Sequence, residues 1–444
     1  MGTPTGRWVV AAASLGSGMT LLDGTVVNVA LRTIGEDLDA SLAELQWINN
    51  GYLLTLASLI LLGGALGDRF GRRRLFVVGT LWFAAASLLC GLAPTAETLV
   101  VARLLQGVGG GLLTPGSLAM IQGAFVRDDR APAIGAWSGL GGIAAAVGPF
   151  LGGALIDLAS WRWIFLVNLP VALVTVAIAF RHVPESRSST PTRRFDVPGA
   201  VLAAVALGGV TWALVQWGDR WALLVALVGV GAGVAFVLVE GRTREPMMPL
   251  GLFRNRVFSA ANAAVLFFLV LQLQTVAGWS PLAAGMATLP LTICMLLLSS
   301  RTGRLAVQIG PRIPMTVGPL VMGGGTLLLL GVDGDTSYWT DVLPGITLFG
   351  LGLALLVAPL TATVLAAAPD TQAGIASGIS NAVARSGLLL SVAALPPAVG
   401  LSGMEYADPL ALSAAYSSAV VVCTGLMLLG GALSWLLVPH RLNR

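Results

Sequence analysis

The chain has 444 residues, of which 56% are hydrophobic and 10% are charged, and its formal net charge is +4. A soluble domain carries about 25% charged residues, so the composition excludes a globular protein and indicates a polytopic membrane protein. All 25 residues in the combined lysine and arginine count are arginine. This excludes a nucleotide-driven pump within the chain, because a phosphate-binding loop of that kind requires a lysine.

Fourteen apolar runs are long enough to cross a membrane, which takes about 17 to 25 residues in a helix. They lie at 8–31, 46–67, 75–93, 98–121, 133–157, 163–180, 197–217, 221–239, 257–278, 281–300, 314–331, 340–366, 373–400 and 411–438. We therefore predict an all-α polytopic membrane protein with 14 transmembrane helices, numbered spans 1 to 14.

The arginines are distributed unequally between the two sides of these spans. Most loop arginines fall on the side of the two termini, and only Arg32, Arg162 and Arg220 fall on the other side. Short arginine-rich loops stay in the cytoplasm, so we expect both termini to be cytoplasmic. The absence of lysine is typical of a GC-rich bacterial genome, and the bacterial cytoplasmic membrane is the expected location.

Three charged residues lie well inside spans and not at their ends, namely Asp23, Arg103 and Arg385. A charge near the bilayer centre costs roughly 2.5 to 3.5 kcal/mol, so such residues usually mark an ion or substrate path. At 100° per residue, each charge shares a helical face with small and polar residues, and such faces belong inside a bundle. A guanidinium from either arginine helix can reach Asp23. The alternative is a static buried pair that only fixes packing.

Polar residues beside these charges predict a substrate cavity. Its candidate residues are Thr20, Asn28, Gln106, Thr114, Gln272 and Asn381. Span 5 adds a smooth face that lets another helix approach closely, with a kink point at Pro149. That face carries Gly135, Gly139, Gly142, Pro149 and Gly153.

An internal repeat organises the chain. The loop at 64–76 aligns without gaps with the loop at 303–315, so spans 1–6 and 9–14 are predicted to be two copies of one six-helix unit. Parallel repeats of this kind build secondary transporters whose site lies between the halves. The predicted parts are an N-terminal bundle at 1–180, a cytoplasmic linker at 181–196, two inserted helices at 197–239, a second linker at 240–256 and a C-terminal bundle at 257–444.

Four motifs resemble those of a known family: LLDGTVVNVAL (21–31), GALGDRFGRRR (64–74), RLLQGVGGGLLTPGS (103–117) and GLGGIAAAVGPFLGG (139–153). WRWIFLVNLP (161–170) opens span 6 in the same manner. Together they resemble the major facilitator superfamily, specifically its fourteen-span drug:proton antiporter branch. The resemblance implies a major facilitator fold of two six-helix bundles plus two inserted helices.

The resemblance also implies roles for particular residues. Asp68 and Arg72 would hold a cytoplasmic gate at the start of span 13, near Gly374, while Arg103 would take part in proton coupling. Asp23 would be the protonation site or a contact for a cationic drug. The implied gate set is Gly64, Asp68, Arg69, Gly71, Arg72 and Arg73. The implied seal between the halves is Gly135, Gly139, Gly142, Gly148, Pro149, Gly152 and Gly153.

Three features depart from the family pattern. Arg32 stands where the motif of span 1 usually ends in proline, and the second-half loop has Val307 and Gln308 where the first half has Asp68 and Arg69, so that copy of the gate lacks its acid. Span 9 has an unbroken apolar core only at 260–271, before Gln272 and Gln274. The short core predicts a span that tilts differently or a carrier that is impaired.

These observations predict a secondary active transporter that exports amphiphilic or cationic drugs or metabolites in exchange for protons by alternating access. The alternatives are an exporter of a lipid or self-made metabolite on the same fold, or a non-transporting membrane sensor. The sequence has no catalytic constellation, so an enzyme is not expected. The expected partners are a small amphiphilic substrate, protons and the lipid bilayer. We expect a monomer with no cofactor, no metal and no nucleic acid.

Overall fold

The computed structural model describes residues 4–125, 127–186, 197–216, 219–242, 257–366, 386–387, 389–401 and 408–438. These residues are helical, and no strand occurs among them. The helices are α1 (Pro4–Leu38), α2 (Leu42–Phe70), α3 (Arg72–Gly91), α4 (Ala96–Ala124), α5 (Arg127–Leu158), α6 (Trp163–Leu166), α7 (Asn168–His182), α8 (Val197–Val215), α9 (Ala222–Arg242), α10 (Val257–Thr275), α11 (Pro281–Ala287), α12 (Leu289–Ile309), α13 (Arg312–Leu328), α14 (Leu343–Ala366), α15 (Leu389–Ala398) and α16 (Pro409–Leu437). A 3-10 turn (Leu329–Gly331) follows α13, and a π turn (Tyr338–Val342) precedes α14.

Ten helices in the described part of the chain are long and apolar enough to cross a membrane. An eleventh is α2, whose segments Leu42–Ile60 and Leu62–Phe70 meet at 48°. Three shorter apolar helices lie at Val201–Val215, Val265–Thr275 and Leu389–Ala398. The chain is therefore a multi-pass membrane protein, and the count of fourteen spans stays a prediction.

Local chemistry sets several helix ends. Ser41 and Glu44 form a capping box at the start of α2, and Thr95 and Thr98 do the same at α4. Each box satisfies backbone N–H groups that the first turn leaves without partners. Between α2 and α3, Gly71 has a φ of +113°, a value that favours glycine because it has no Cβ.

The short span 9 continues as a helix through its polar residues. Helix α10 includes Gln272 and Gln274, which are both fully buried. Gln272 Nε2 donates to the Val332 carbonyl at 3.0 Å, and Gln274 Nε2 donates to the Val29 carbonyl at 3.0 Å. Buried amides bonded in this way do not have to end the span.

The described chain divides into two compact units. The first contains Met1–Val27, Thr33–Gly148 and Leu158–Leu250, and the second contains Asn28–Arg32, Pro149–Asp157 and Gly251–Arg444. The second unit therefore includes short pieces from the ends of α1 and α5.

Glycines bring α2, α3 and α4 of the first unit into backbone contact. A Cβ built on Gly107 of α4 would lie 2.3 Å from the Tyr52 carbonyl oxygen of α2. A Cβ on Gly109 of α4 would lie 2.6 Å from the Phe83 nitrogen of α3. Small residues permit this approach between membrane helices. The three helices therefore form a tight group, and α4 of this group carries Arg103.

The two inserted helices pack on each other through a glycine pair. A Cβ on Gly209 of α8 would lie 3.0 Å from the Gly229 Cα of α9. Helix α8 also contacts α2, where Gly208 faces Leu54 at 3.5 Å. The inserted pair therefore packs against the first unit through α2.

We predict that Gly107→Ala destabilises the protein. The added methyl group would lie 2.0 Å from Thr55 Oγ1 and 2.3 Å from a backbone oxygen, and overpacking of this kind costs about 1–3 kcal/mol. The measurement is the thermal unfolding midpoint in one detergent. The control is Gly231→Ala in α9, where the Cβ meets no described atom within 4 Å. Equal midpoints for the two variants would contradict the prediction.

Candidate functional site

A buried ion pair joins α1 to α4. Arg103 Nη1 lies 2.5 Å from Asp23 Oδ2, and both side chains are fully buried. Of the two arginines that sequence left open as partners, Arg103 makes this contact, while Arg385 lies outside the described residues. Removing two charges from water is tolerated only where the geometry is good and further hydrogen bonds satisfy both groups.

The Arg103 guanidinium is held on several sides. Its Nε donates to the Ile48 carbonyl of α2 at 2.8 Å. Its carbon lies 4.5 Å from the centre of the Tyr52 ring and 5.6 Å from that of Phe165, which adds cation–π attraction. Among the described residues, Nη2 has no hydrogen-bond partner. One donor group of Arg103 is therefore not used by the ion pair.

Gln106 bridges both charges with one neutral amide. Its Nε2 donates to Asp23 Oδ1 at 2.9 Å and to Ser87 Oγ at 3.1 Å. Its Oε1 accepts from Arg103 Nη1 at 2.7 Å and from Cys90 Sγ at 3.5 Å. All four hydrogen-bonding positions of the amide are used. Gln106 was predicted as a cavity residue, and the structure places it in direct contact with the ion pair.

Sequence reasoning missed two members of this network. Ser87 of α3 donates to the Phe165 carbonyl at 2.9 Å and accepts from Asn168 Nδ2 of α7 at 3.0 Å. Asn168 Nδ2 also lies 3.4 Å from Asp23 Oδ1. Asn168 is the uncharged polar residue of the 161–170 motif, so the sequence did offer a signal for it. Ser87 gave no such signal, because a serine in an apolar span is not distinctive.

The groups around Asp23 define what this site can do chemically. Each described side chain that hydrogen-bonds to the carboxylate, from Arg103, Gln106 and Asn168, does so as a donor. Donors stabilise the ionised form of a carboxyl group. The described contacts of the carboxylate are thus all with donors, and removal of its charge would weaken each of them.

The other predicted cavity residues are dispersed. Thr20 is buried, and its hydroxyl donates to Ser17 of its own helix. The hydroxyl of Thr114 has no partner among the described residues. Asn28 and Gln272 belong to the second unit. Asn381 lies outside the described residues, so the cavity stays a prediction.

The loop between α2 and α3 is the single residue Gly71, and the predicted gate residues on the two helix ends beside it are tied to neighbouring helices. Arg72 Nη2 lies 2.8 Å from Asp68 Oδ1, and Arg72 Nη1 donates to the Ala119 carbonyl of α4 at 3.1 Å. Arg69 lies over the Phe70 ring, and Gly64 faces Pro115. The predicted partner region near Gly374 lies outside the described residues.

Glu185, just after α7, is a partner of this loop that the sequence did not reveal. Its Oε1 accepts from the Arg73 backbone N–H at 3.1 Å, and its Oε2 lies 3.7 Å from both Arg73 Nε and Arg74 Nε. A Cβ on Gly71 would lie 2.7 Å from Glu185 Oε1. The Glu185 carboxylate therefore lies close against the turn, where the φ of +113° favours glycine.

The glycine stripe of α5 packs at some positions and not at others. Gly148 faces α1, where a Cβ would lie 2.1 Å from Thr25 Oγ1. In the second unit, a Cβ on Gly153 would lie 2.3 Å from the Leu282 Cα, and Pro149 contacts Gly285. Gly152 is buried. Gly139 and Gly142 are exposed, and a Cβ there meets no described atom within 4 Å. The surroundings of Gly135 lie outside what the structure describes, and the seal role stays a prediction.

Comparison with known proteins agrees with this geometry. The sequence profile of the Major Facilitator Superfamily matches residues 13–392. The tetracenomycin C resistance and export protein of Streptomyces glaucescens is 36% identical over 404 residues, covering 86% of this chain and 74% of the relative. The puromycin resistance protein pur8 of Streptomyces alboniger is 35% identical over 466 residues, covering 98% and 92%.

Solved structures show the same fold at low identity. A bacterial homologue of the human drug peptide transporters PepT1 and PepT2 superposes with a TM-score of 0.66 at 15% identity, covering 97% of both chains. A bacterial homologue of the human lysosomal transporter Spinster gives 0.65 at 16% identity, covering 98% and 97%. These similarities concern the fold alone.

The helices define an all-helical multi-pass membrane protein, and the family match and the relatives indicate a transporter rather than an enzyme. The chain belongs to the Major Facilitator Superfamily, because the family profile covers most of its length and its relatives exceed 30% identity. Its relatives include antibiotic and multidrug resistance proteins. The resemblance stated from the sequence motifs is thereby confirmed.

We predict that Glu185→Gln loosens the loop between α2 and α3. The change weakens contacts to Arg73 and Arg74 by about 1 kcal/mol in this partly buried setting, equivalent to roughly fivefold faster local opening. The measurement is hydrogen exchange of peptides covering residues 71–75. The control is Glu97→Gln, an exposed acid at the start of α4. Unchanged exchange in the Glu185 variant would show that this carboxylate does not hold the loop.

Proposed function

We propose that this chain is a fourteen-span exporter that exchanges amphiphilic or cationic drugs or metabolites for protons by alternating access. The observation that carries the proposal is the fully buried Asp23–Arg103 pair. Relatives that are named as resistance and export proteins support the drug-like substrate class. The proposal places the chain in a bacterial cytoplasmic membrane as a monomer, with both termini in the cytoplasm.

The ion pair suits proton coupling because neutralising one partner leaves the other as a buried charge without a counter-ion. A proton that enters from outside would bind the Asp23 carboxylate and remove its charge. Arg103 would then be a buried cation without its counter-ion, which is strongly unfavourable. A change of conformation that gives Arg103 a new partner or water relieves this state. Loss of the same proton to the cytoplasm restores the pair.

A cationic substrate would use the same carboxylate. In the proposed cycle the substrate cation takes the place of the Arg103 contact, and protonation of Asp23 then releases it to the outside. One carboxylate binding either a proton or a cation gives exchange, since the two occupants exclude each other. Arg103 Nη2 has no hydrogen-bond partner in the described part of the chain, which supports a guanidinium that can change partners.

Two further roles belong to the proposal. Asp68 and Arg72 would close the cytoplasmic side, which the Arg72 contacts to Asp68 and Ala119 support. The glycine and proline positions of α5 would seal the two halves, which the close contacts of Gly148 and Gly153 support. Both roles concern the opening and closing of the transporter and not the protonation of Asp23.

We predict that Asp23→Asn abolishes coupling between substrate and proton movement. The variant retains a buried Arg103 without its counter-ion, a defect of about 3–5 kcal/mol, so a second variant is needed in case it fails to fold. Asp23→Asn/Arg103→Gln removes both charges and is expected to fold. It is expected to lose pH-driven transport as well.

The measurement is dye-detected proton movement in proteoliposomes that are exposed to ethidium, tetraphenylphosphonium and puromycin in turn. Glu97→Gln is the matched control, since it removes an exposed acid at the start of the helix that carries Arg103. If the doubly neutral variant exchanges any of these compounds for protons at the wild-type rate, the proposal is wrong. If the wild type moves none of them, the drug-export proposal is also overturned and the sensor alternative gains support.

A further inference from the structure

The start of α13 in the second unit resembles the start of α3 in the first. Each helix follows a glycine with positive φ, Gly71 at +113° and Gly310 at +86°. The gapless alignment of the two loops matches Arg73 with Arg312. At α3 the chain supplies its own anion, because the Glu185 carboxylate accepts from the Arg73 N–H at 3.1 Å and lies 3.7 Å from Arg73 Nε.

The second copy keeps the arginine without an acid. The chain contains no Asp or Glu between 246 and 332, and α14 and α16 contain none either. The N-cap residue of α13, Pro311, makes no side-chain capping bond. Arg312 Nε is buried and has no hydrogen-bond partner among the described residues. A helix N-terminus favours an anion, and a buried donor without an acceptor is unfavourable.

The end of α16 packs beside this arginine. The centre of the Trp435 ring lies 4.3 Å from the Arg312 guanidinium carbon. One turn along α13, the Thr316 carbonyl oxygen lies 3.3 Å from a Cβ built on Gly431, so the two helix ends run side by side in opposite directions. The hydroxyls of Thr316 and Ser434 are also buried without a partner in the described part of the chain. Three polar groups on these two helix ends therefore have unused hydrogen-bonding capacity.

The surfaces beside Arg312 are those of a helix pair in lipid. Ile313, Val317 and Leu320 follow one another at helical spacing on α13, and all three are exposed. Trp435 is 51% exposed and Leu436 is 73% exposed. Tryptophan is enriched where a membrane meets water, and the planar arginine fork matches phosphate oxygens. A ligand that suits this place combines a phosphate with hydrocarbon.

We propose that the start of α13 and the end of α16 bind the phosphate of a phospholipid. The phosphate takes the role that the Glu185 carboxylate has at α3, and it accepts hydrogen bonds from Arg312. The acyl chains lie along the exposed apolar stripe of α13. A bound lipid thereby links α13 to α16. This inference goes beyond the proposed function and does not depend on proton exchange.

The test is native mass spectrometry of the purified protein during titration with phosphatidylglycerol. Arg312→Gln is expected to weaken the tightest lipid binding about tenfold, because it removes charge-assisted hydrogen bonds to the phosphate. Thr316→Glu is the second variant, in case the first fails to fold. It places a carboxylate one turn from Arg312, and this carboxylate is expected to compete with the phosphate and weaken lipid binding severalfold.

Three controls separate a phosphate site from general attraction. Arg220→Gln removes an exposed arginine that also lies over a tryptophan ring, at 5.3 Å from the centre of Trp221. It is expected to keep the wild-type lipid affinity. Diacylglycerol with the same acyl chains has no phosphate and is expected not to bind with this affinity. Inorganic phosphate is expected not to displace the lipid, because it lacks the hydrocarbon contacts.

Wild-type lipid affinity in folded Arg312→Gln, or in Thr316→Glu when only that variant folds, overturns the inference. An equal loss in Arg220→Gln does so too, since it would show unspecific attraction to surface charge. Equal binding of diacylglycerol would remove the phosphate from the argument, and displacement by inorganic phosphate would identify a site for a free anion instead of a lipid. Failure of proton exchange in proteoliposomes would overturn the proposed function and leave this lipid site unaffected.

Discussion

The burial of the Asp23–Arg103 pair is the constraint on which the first unit depends. Two charges without water are stable only if nearly every remaining donor and acceptor finds a partner. That requirement brings α1, α2, α3, α4 and α7 to one point, with Gln106, Ser87 and Asn168 supplying the hydrogen bonds. Glycines on α4 let α2 and α3 approach closely enough for these short side chains to meet.

Much of this was predictable from residue types. Placing an acid or an arginine in lipid costs free energy, so both side chains were predicted to point into the helix bundle. Gln106 followed because it lies one helical turn from Arg103. The serine partner could not be predicted, because a serine in a membrane helix usually bonds to its own backbone, as Thr80 does. Only the tertiary arrangement shows that the Ser87 hydroxyl leaves its helix.

Other differences have equally physical reasons. Periodicity placed Gly139 and Gly142 on the packed face of α5, yet both are exposed, while Gly148 lies against α1. A helix rich in small residues shows little contrast between its faces, so composition alone does not determine which one packs. The sequence marked Gln272 and Gln274 as a break in the apolar core of span 9, and in the structure both are buried within α10 and donate to backbone carbonyls. Glu185 lies in a polar linker, where a single acid carries no signal.

Helices α3 and α7 each reach both the ion-pair network and the loop between α2 and α3. Ser87 and Arg72 are fifteen residues apart on α3, which is about 22 Å along a helix axis, and α3 contains no proline between them. Asn168 begins α7, and Glu185 follows its end. Two helices therefore connect the buried ion pair with the turn between α2 and α3. Under the proposed function any coupling between the two is reciprocal, so contacts at the turn that respond to proton binding must, when broken, change proton binding by the same factor.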